Sequence, residues 1–312
     1  MMRLLNILME LINSESNVLI TGESGTGKEL VAHAIHSNSR RSDKPFVVVN
    51  CGAVPENLQE SELFGHVMGS FTGAVKDKNG IFLEAQGGTL FLDEIGETSP
   101  STQVKLLRFL QNGEIRKVGD NKPIYLDIRI IVATNKDLDE ATKNGSFRKD
   151  LFYRLNVIRI HLPPLRERKE DIPLLINYFV NIYANKLRKK PPEISGDAME
   201  LLLNYPWPGN VRELENVIER SVTLVKGYMI TVADLALQTV SPADTMNVMI
   251  ETRGIRAALA QEERKTILES LRRHAGNRKQ VATNLGISTT TLWRKMKEYQ
   301  IVSKTSYNTE NV

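Results

Sequence analysis

The feature that most constrains the fold is a glycine-rich segment between a short apolar run and a helical pattern. Residues 18–21 read VLIT, residues 22–29 read GESGTGKE, and a helical pattern covers Glu29–His36. Glycines let the backbone turn its N–H groups towards a phosphate, the helix N-terminus adds partial positive charge, and Lys28 reaches the outer phosphates. The strand–loop–helix context therefore predicts a phosphate-binding loop rather than an ordinary glycine-rich turn. Its residues are Gly22, Glu23, Ser24, Gly25, Thr26, Gly27, Lys28 and Glu29.

Further apolar runs indicate that this loop belongs to a parallel sheet. The runs are Phe46–Asn50, Thr89–Leu92, Ile128–Thr134 and Val157–Leu162, and helical patterns such as Ser101–Leu110 lie between them. They are mostly unalternating and β-branched, as strands buried on both faces are. The βαβ order predicts an α/β fold, with a parallel sheet covered by helices. From about residue 171 only helical patterns follow.

Composition narrows the class of protein. The single cysteine, Cys51, rules out a disulfide framework and predicts a cytoplasmic setting. No run reaches the roughly 18 apolar residues of a membrane helix, so no membrane partner is expected. The first dozen residues instead predict an amphipathic helix. Residues 251–312 hold 12 Lys and Arg against 6 Asp and Glu, and this basic end indicates a polyanion partner.

Polar residues follow two of the apolar runs. Asp93 and Glu94 end the run that begins at Gly88, and the carboxyl edge of a parallel sheet lies beside the phosphate loop. Asp93 is predicted to hold the metal, directly or through water, and Glu94 to polarise the attacking water. Two solvated acids in a surface turn would not explain the buried run before them. Thr134 and Asn135 could sense the γ-phosphate, and a helix N-cap at Asn135 is the alternative.

Three arginines are candidates for phosphate contacts. Arg148 and Arg154 lie six residues apart, and arginine suits the spreading charge of a phosphoryl-transfer transition state. Without a family resemblance, surface arginines paired with Asp150 or solvent would be the preferred interpretation. Arg212 begins a helix of the second subdomain, where it could reach across a nucleotide cleft or pair with Glu215.

The C-terminal segment has helix-turn-helix spacing. Arg264–His274 predicts one helix, Asn277 caps a second that runs to about residue 285, and Gly286 makes the turn. Ser288 caps a third helix from Thr289 to about residue 299. The predicted small core is Ala282, Leu285, Ile287 and Leu292.

The same segment carries the expected DNA contacts. Between Arg272 and Lys297 there are seven cations and no acid. Thr289 and Thr290 would face base edges, with Arg294 beside them. A solvated basic hairpin is the alternative. The cap residue Ser288 is also a predicted DNA-binding residue, and the residues expected mostly to hold DNA phosphates are Arg278, Lys279, Lys295 and Lys297.

The motifs occur together in an order that resembles one family. After GESGTGKE come SELFGH at 61–66, GSFTGA at 69–74, GGTLFLDEI at 87–95, FRKDLFYRLNV at 147–157, LPPLRER at 162–168 and WPGNVREL at 207–214. This order resembles the sigma-54-dependent transcriptional activators, the bacterial enhancer-binding AAA+ ATPases. The resemblance runs from about residue 18 to 235 and resumes at about residue 260, where it is similar to a Fis-type DNA-binding domain.

The resemblance implies roles in ATP hydrolysis. The phosphate loop would bind ATP with Mg²⁺, and Glu29 fits because the family commonly carries glutamate there. Asn50 resembles the residue that holds the catalytic glutamate inactive, and Thr134 with Asn135 resembles the first sensor. Arg148 and Arg154 resemble trans-acting arginine fingers, and Arg212 the second sensor. Family members also carry upstream residues that enclose the adenine, and Gly22 lies too near Met1 for these, so no adenine contacts are assigned.

The loop at residues 69–74 resembles the surface that grips sigma-54. Its residues are Gly69, Ser70, Phe71, Thr72, Gly73 and Ala74. The family usually has alanine where Ser70 stands, and Phe71 and Thr72 would be the contact residues. The flanking glycines permit a projecting turn with an exposed aromatic tip, and a buried hairpin is the alternative.

These observations predict the following organisation. Residues 1–168 form the AAA+ α/β subdomain, 169–238 the helical lid, 239–259 a linker, 260–302 the helix-turn-helix domain and 303–312 a polar tail. The resemblance implies an ATP-dependent activator that dimerises on enhancer DNA, assembles into a hexamer and remodels the closed complex of RNA polymerase and sigma-54. A DNA-binding regulator with a relict ATPase domain is the alternative. A metabolic P-loop kinase is a third possibility. The sequence carries no motif for a second substrate, and a kinase would leave the basic C-terminal end unexplained.

Overall fold

The computed structural model describes residues 14–235 and 237, and in the C-terminal segment residues 267, 269–271, 273–274, 277–284, 289, 292 and 296. The chain falls into two units, Met1–Leu237 and Gln238–Val312. The amphipathic helix predicted for the first dozen residues, the linker at 239–259 and the tail at 303–312 lie outside the described residues.

The core of the first unit is a five-stranded parallel sheet. Its strands in spatial order are β2 (Phe46–Asn50), β5 (Thr89–Asp93), β8 (Arg129–Thr134), β1 (Val18–Thr21) and β9 (Ile158–His161). All five apolar runs are strands of this sheet, which confirms the predicted α/β fold. The register pairs Asn50 with Asp93 and Thr21 with Thr134, so the polar strand ends meet at one edge.

Two apolar cores cover the sheet, one on each face. Strands β1 and β8 are buried over their whole length. Because neighbouring strand residues point to opposite faces, Leu19 belongs to one core and Val18 with Ile20 to the other. The covering helices are α1 (Lys28–Ser37), α2 (Glu56–Phe64), α3 (Ile81–Glu84), α4 (Pro100–Asn112), α5 (Leu138–Lys143) and α6 (Lys149–Leu155).

Local signals explain the ends of α4. Ser99 accepts a hydrogen bond from the N–H of Thr102, and Pro100 occupies the first turn, where its missing N–H has no cost. Gly113 ends the helix with φ 69°, the left-handed conformation common after helix ends. Two antiparallel hairpins flank this part of the chain. They are β3 (Gly65–His66) with β4 (Lys78–Asn79), and β6 (Glu114–Ile115) with β7 (Ile124–Tyr125).

A helical subdomain follows the sheet. Its core includes the fully buried Trp207, Leu214 and Ile218. The expectation of helices alone is corrected by a two-stranded parallel pair, whose two-residue strands are too short for an alternating pattern. The elements are α7 (Ile172–Lys186), β10 (Glu193–Ile194), α8 (Gly196–Asn204), α9 (Asn210–Leu224), β11 (Met229–Ile230) and α10 (Val232–Leu235).

The second unit contains helix α11 (Arg278–Asn284) among its described residues. Asn277 accepts a hydrogen bond from the N–H of Gln280 (3.3 Å), which confirms the predicted cap. Ala282 and Leu292 are buried as predicted, whereas Leu285 and Ile287 lie outside the described residues. Over the described parts of both units, no helix is long and apolar enough to cross a membrane.

Candidate functional site

The phosphate loop is shaped by glycine conformations and by its own lysine. Gly25 and Gly27 have φ of 76° and 97°, and α1 begins directly after Gly27. A Cβ on Gly25 would lie 2.3 Å from the carbonyl oxygen of Gly209, so only glycine fits there. The ammonium of Lys28 donates to the carbonyls of Gly22 and Glu23, at 2.9 Å each. The start of α1 therefore faces the loop, as a phosphate site requires.

The loop, the strand ends and the lid enclose one cavity. Predicted site residues from five separate parts of the chain meet here, and Leu30, Val211 and Glu215 join them without having been predicted. The lining residues are Ser24, Gly25, Gly27, Lys28, Glu29, Leu30, Asn50, Asp93, Glu94, Asn135, Val211, Arg212 and Glu215.

The charges in the cavity suit a nucleotide with Mg²⁺. Burial lowers the pKa of Lys28, and the carboxylates of Asp93 and Glu94 act in the opposite direction, so the three groups share one electrostatic environment. Asp93 Oδ1 accepts the N–H of Glu94 at 2.9 Å. No cluster of three or more metal-ligating side chains occurs in the described residues. A lone carboxylate still fits Mg²⁺, which commonly takes one or two protein carboxylates together with substrate phosphates.

Glu94 is held in a narrow position beside Gly52. Its backbone is left-handed, with φ 53°. A Cβ on Gly52 would lie 2.3 Å from Glu94 Oε2 and 3.3 Å from Asn50 Oδ1, so the bare glycine makes room for the carboxylate. The Asn50 side chain accepts the N–H of Ala53 at 3.1 Å, and within residues 14–235 it makes no hydrogen bond to Glu94. The role of Gly52 was not predicted, because the sequence places it 42 residues from Glu94.

We therefore expect Gly52→Ala to slow ATP hydrolysis roughly tenfold or more while ATP still binds. The added methyl group must displace the Glu94 carboxylate, and small misplacements of a reacting group are costly. Steady-state ATPase assays and equilibrium nucleotide binding would measure the two effects. Gly196→Ala is the matched control, because its Cβ meets nothing within 4 Å. Equal losses in both variants would contradict this role.

Cys51 lies next to the site but is not a nucleophile. The residue is buried, and burial together with Asp93 and Glu94 raises the pKa of its thiol to about 12. A thiol in this state stays protonated at neutral pH, and reactivity requires the thiolate. Cys51 therefore serves as a small apolar side chain of the core.

The two residues predicted as a first sensor have different positions. Asn135 lines the cavity, whereas Thr134 is fully buried and its Oγ1 accepts the N–H of Lys136 at 3.0 Å. The alternative of an N-cap at Asn135 is wrong. Asp137 caps α5 instead, by accepting the N–H groups of Asp139 and Glu140.

The lid contacts the phosphate loop directly. Arg212 Nη1 donates to Ser24 Oγ at 3.3 Å, whereas Glu215 accepts the hydroxyl of Tyr183 at 2.9 Å. The alternative pair of Arg212 with Glu215 is therefore not the arrangement seen.

Further contacts join loop and lid, and they were not predicted. Asn210 and Arg166 both bind the carboxylate of Glu23, and Arg168 Nη2 donates to the carbonyl of Thr26 at 2.9 Å. These residues lie in the strings LPPLRER and WPGNVREL, which were singled out in the sequence. Within the two strings a role was predicted for Arg212 alone.

Arg148 and Arg154 do not line the cavity of their own chain. Arg148 forms an exposed ion pair with Asp150 at 2.7 Å, and this pair raises the pKa of Arg148. Arg154 Nε donates to the carbonyl of Leu110 at 3.2 Å. The local pairing considered for Arg148 is thus the arrangement seen in the single chain.

The loop at residues 69–74 closes on itself and rests on the β6–β7 hairpin. The N–H of Gly69 donates to the carbonyl of Ala74 at 2.8 Å, which closes the loop. The N–H of Val67, just before the loop, donates to the carbonyl of Val118 in the β6–β7 hairpin at 3.1 Å. Phe71 is 37% exposed and its ring contacts His66 edge-on at 5.1 Å. Thr72 is exposed, so the tip is accessible although Phe71 is partly covered.

Ser70 packs where Gly119 leaves space. A Cβ on Gly119 would lie 2.5 Å from the Cβ of Ser70. The Ser70 hydroxyl is buried and has no hydrogen-bond partner among the described residues. Alanine would fit this position without an unsatisfied polar group.

The predicted DNA-binding residues are described only in part. Arg278 is exposed on α11, and Thr289 is helical and exposed. Lys279 lies within α11. The remaining candidates, Ser288, Thr290, Arg294, Lys295 and Lys297, lie outside the described residues.

The parallel sheet with a phosphate loop, strand-end acids and a helical lid at one cavity defines a P-loop protein of the AAA+ class. The sequence matches the Sigma-54 interaction domain over residues 1–161 and the AAA+ ATPase lid domain over 166–249. Residues 258–299 match the Fis family of bacterial regulatory proteins. The chain belongs to the family of sigma-54-dependent transcriptional activators, with a Fis-type helix-turn-helix at its C-terminal end.

Similar proteins support this membership. The transcriptional regulatory protein ZraR of Salmonella typhimurium is 48% identical over 296 residues, which cover 95% of this chain and 66% of ZraR. The regulatory protein AtoC of Escherichia coli is 49% identical over 92% of this chain and 63% of its own length. The crystal structure of NtrX from Brucella abortus in complex with ADP is 35% identical with a TM-score of 0.71, and covers 96% of this chain and 68% of NtrX. The chain thus spans slightly less than two thirds of the curated relatives.

Proposed function

We propose that this chain is an ATP-driven transcription activator that acts in the cytoplasm. The observation that carries the proposal is the single cavity in which Lys28, Asp93, Glu94 and Arg212 meet. A solved relative, NtrX, is described in complex with ADP, which supports a nucleotide in the corresponding place. Enhancer DNA, RNA polymerase and sigma-54 are the proposed partners.

The predicted catalytic and phosphate-binding residues of the cavity have separate proposed tasks. The loop N–H groups and Lys28 bind the β- and γ-phosphates. Asp93 would hold Mg²⁺, directly or through water, and the ion would supply positive charge beside the phosphates. Glu94 orients the attacking water and accepts its proton. Asn135 and Arg212 contact the γ-phosphate from the sheet and from the lid. Asn50, whose Oδ1 like Glu94 Oε2 lies beside Gly52, holds Glu94 inactive until the signal to hydrolyse.

Hydrolysis is proposed to require a neighbouring subunit. Arg148 and Arg154 lie away from their own cavity, and an arginine supplied in trans can stabilise the transition state. Assembly from a dimer to a hexameric ring follows from the family resemblance. In such a ring Arg148 must exchange Asp150 for a phosphate, which is feasible because exposed ion pairs are weak.

We expect Arg154→Ala subunits to poison mixed rings. At a one-to-one ratio with the unaltered chain, ATPase activity should fall by more than half, because each altered subunit leaves its neighbour's site incomplete and an incomplete site also slows the other sites of the ring. The measurement is activity against mixing ratio at a fixed total concentration. Arg40→Ala, at an exposed arginine in the turn after α1, should leave the activity unchanged. A strictly proportional decline would show that the sites of a ring work independently. Action in trans itself requires that a mixture of Arg154→Ala and Glu94→Gln subunits be more active than either variant alone, and no such recovery would contradict it.

The loop at 69–74 and the C-terminal module are proposed to couple hydrolysis to transcription. The exposed Thr72 and partly exposed Phe71 would grip sigma-54, and the helix-turn-helix would hold the ring at the enhancer. The relict-regulator alternative predicts DNA binding without hydrolysis. The intact set of cavity residues favours the activator.

The full chain, RNA polymerase and sigma-54 on a template with an enhancer provide the test. Open complexes should form with ATP and should fail to form with a non-hydrolysable analogue. A chain that binds the enhancer, forms hexamers and hydrolyses ATP, yet never opens such a promoter, would refute the proposal. Absence of hydrolysis in verified hexamers would favour the relict regulator.

A further inference from the structure

Asn210 joins the lid to the phosphate loop through both ends of its side-chain amide. It is the first residue of α9 and is fully buried. Its Oδ1 accepts the N–H of Leu165 at 2.7 Å. Its Nδ2 donates to Glu23 Oε2 at 3.1 Å and to the carbonyl of Ser24 at 3.0 Å. One side chain therefore connects the loop, the segment between sheet and lid, and the first turn of α9.

The carbonyls of residues 22–26 are all engaged, three of them by lid-side groups. Lys28 donates to the carbonyls of residues 22 and 23. Asn210 donates to Ser24, the Val211 N–H to Gly25 at 3.0 Å, and Arg168 to Thr26. A phosphate is bound by loop N–H groups, so a carbonyl that turned into the site would repel it. Donors that hold the carbonyls keep the loop in its phosphate-binding conformation.

The Glu23 carboxylate strengthens this connection. Arg166 donates to both of its oxygens, at 2.6 and 2.9 Å. These hydrogen bonds and the one from Asn210 lower the pKa of Glu23 to about 2. Glu23 is therefore ionised at any pH near neutral and accepts the amide of Asn210 as an anion. Hydrogen bonds to a charged acceptor are stronger than neutral ones.

We infer that Asn210 is a positioning residue through which the lid sets the conformation of the phosphate loop. The inference rests on the proposed nucleotide function. The backbone of Asn210 is left-handed, with φ 54°, and asparagine tolerates this conformation better than most residues do. The site also needs an acceptor for Leu165 and a donor for Glu23 on one short side chain. An amide provides both, whereas a carboxylate provides only acceptors.

The decisive variant is Asn210→Asp, which keeps the shape and the acceptor but removes the donor. The new carboxylate would face the Glu23 carboxylate and the Ser24 carbonyl. We expect nucleotide affinity to fall about tenfold or more, because the Glu23 carboxylate and the Ser24 carbonyl lose their donor and a buried carboxylate at position 210 meets the like charge of Glu23. Titration of the full chain with a fluorescent ATP analogue would measure the dissociation constant directly.

Rescue by a second change separates positioning from general damage. In the double variant Asn210→Asp with Glu23→Gln, the amide introduced at position 23 can donate to the carboxylate at position 210, so the hydrogen bond returns with reversed polarity. Glu23→Gln alone should weaken nucleotide binding, because it loses the ion pair with Arg166. We expect the double variant to bind about threefold or more tightly than Asn210→Asp alone. Such non-additivity is the signature of a direct contact.

Asn181→Asp is the matched control. Asn181 lies exposed on α7, where its Nδ2 donates to the carbonyl of Asn177 at 2.7 Å. The same chemical change there should leave nucleotide affinity unchanged. The thermal unfolding midpoint of each variant would be recorded beside the binding data. Should Asn210→Asp fail to fold, Glu23→Ala, at a partly exposed position, tests the same contact and should weaken binding about threefold or more.

The outcomes are distinct. If the unaltered chain binds no nucleotide, the proposed function fails. If the unaltered chain binds and Asn210→Asp binds equally well, the inference about Asn210 is wrong and the proposed function stands. If Asn210→Asp weakens nucleotide binding and the double variant with Glu23→Gln binds still more weakly, Asn210 merely stabilises the lid. The inference is then also wrong.

Discussion

The Glu94→Gln protein should bind ATP as tightly as the unaltered chain and hydrolyse it at least about 100-fold more slowly. The change keeps the size of the side chain but removes the group that orients the water and accepts its proton, a contribution of about 10²- to 10⁴-fold in enzymes. The phosphate loop, Lys28 and Asp93 remain, so the affinity for ATP is retained. Single-turnover hydrolysis and equilibrium binding would measure the two properties separately.

Glu97 provides the control for Glu94. It lies three residues further along the same short turn, where its carboxylate forms an exposed ion pair with Lys136 at 2.8 Å. Glu97→Gln should hydrolyse ATP within about twofold of the unaltered chain, because exposed pairs contribute little. Normal turnover by Glu94→Gln would show that another group positions the water.

Thr72→Ala should abolish open-complex formation while ATP hydrolysis and enhancer binding stay within a few-fold of the unaltered chain. Thr72 is exposed and lies outside the nucleotide cavity, so its loss leaves hydrolysis intact. The proposed grip on sigma-54 would lose its central contact. Trapping of sigma-54 with a transition-state nucleotide analogue should fail in the same variant.

Thr223→Ala is the corresponding control, at an exposed lid threonine whose hydroxyl donates to the carbonyl of Glu219. It should open the promoter normally. Full promoter opening by Thr72→Ala would exclude the loop as the sigma-54 contact. If the unaltered chain hydrolyses ATP but captures no sigma-54, Ser70→Ala is the first change to make, because it removes a buried hydroxyl without a partner among the described residues.

The sheet and the phosphate loop could be predicted from sequence because their signals are local. All five strands coincide with the predicted runs. The central strands β1, β5 and β8 are buried on both faces and are therefore mostly apolar, whereas the edge strands β2 and β9 are only partly buried. Asp93 and Glu94 could be assigned to the cavity because the carboxyl ends of parallel strands meet at one edge. The short pair β10–β11 could not be predicted, because two residues carry no period.

The strings LPPLRER and WPGNVREL indicate that their residues matter, but sequence patterns do not identify which residues of the phosphate loop they contact. Asn210 and Glu23 are 187 residues apart, and nothing in the local sequence of either indicates the partner. Gly52 likewise looks like any loop glycine until the Glu94 carboxylate is seen beside it. The pairing of Arg148 with Asp150 is local and could be anticipated from the sequence. A contact with a neighbouring subunit, in contrast, leaves no such local signal.

The buried thiol of Cys51 makes the chain convenient for site-specific labelling. It is the single cysteine of the sequence, and a covered thiol with a pKa of about 12 reacts poorly with maleimides. A cysteine introduced as Met68→Cys, at a side chain that is 68% exposed beside the loop at residues 69–74, would therefore take up a fluorophore selectively. With the native cysteine left in place, such a dye could follow in real time how the loop responds to each nucleotide.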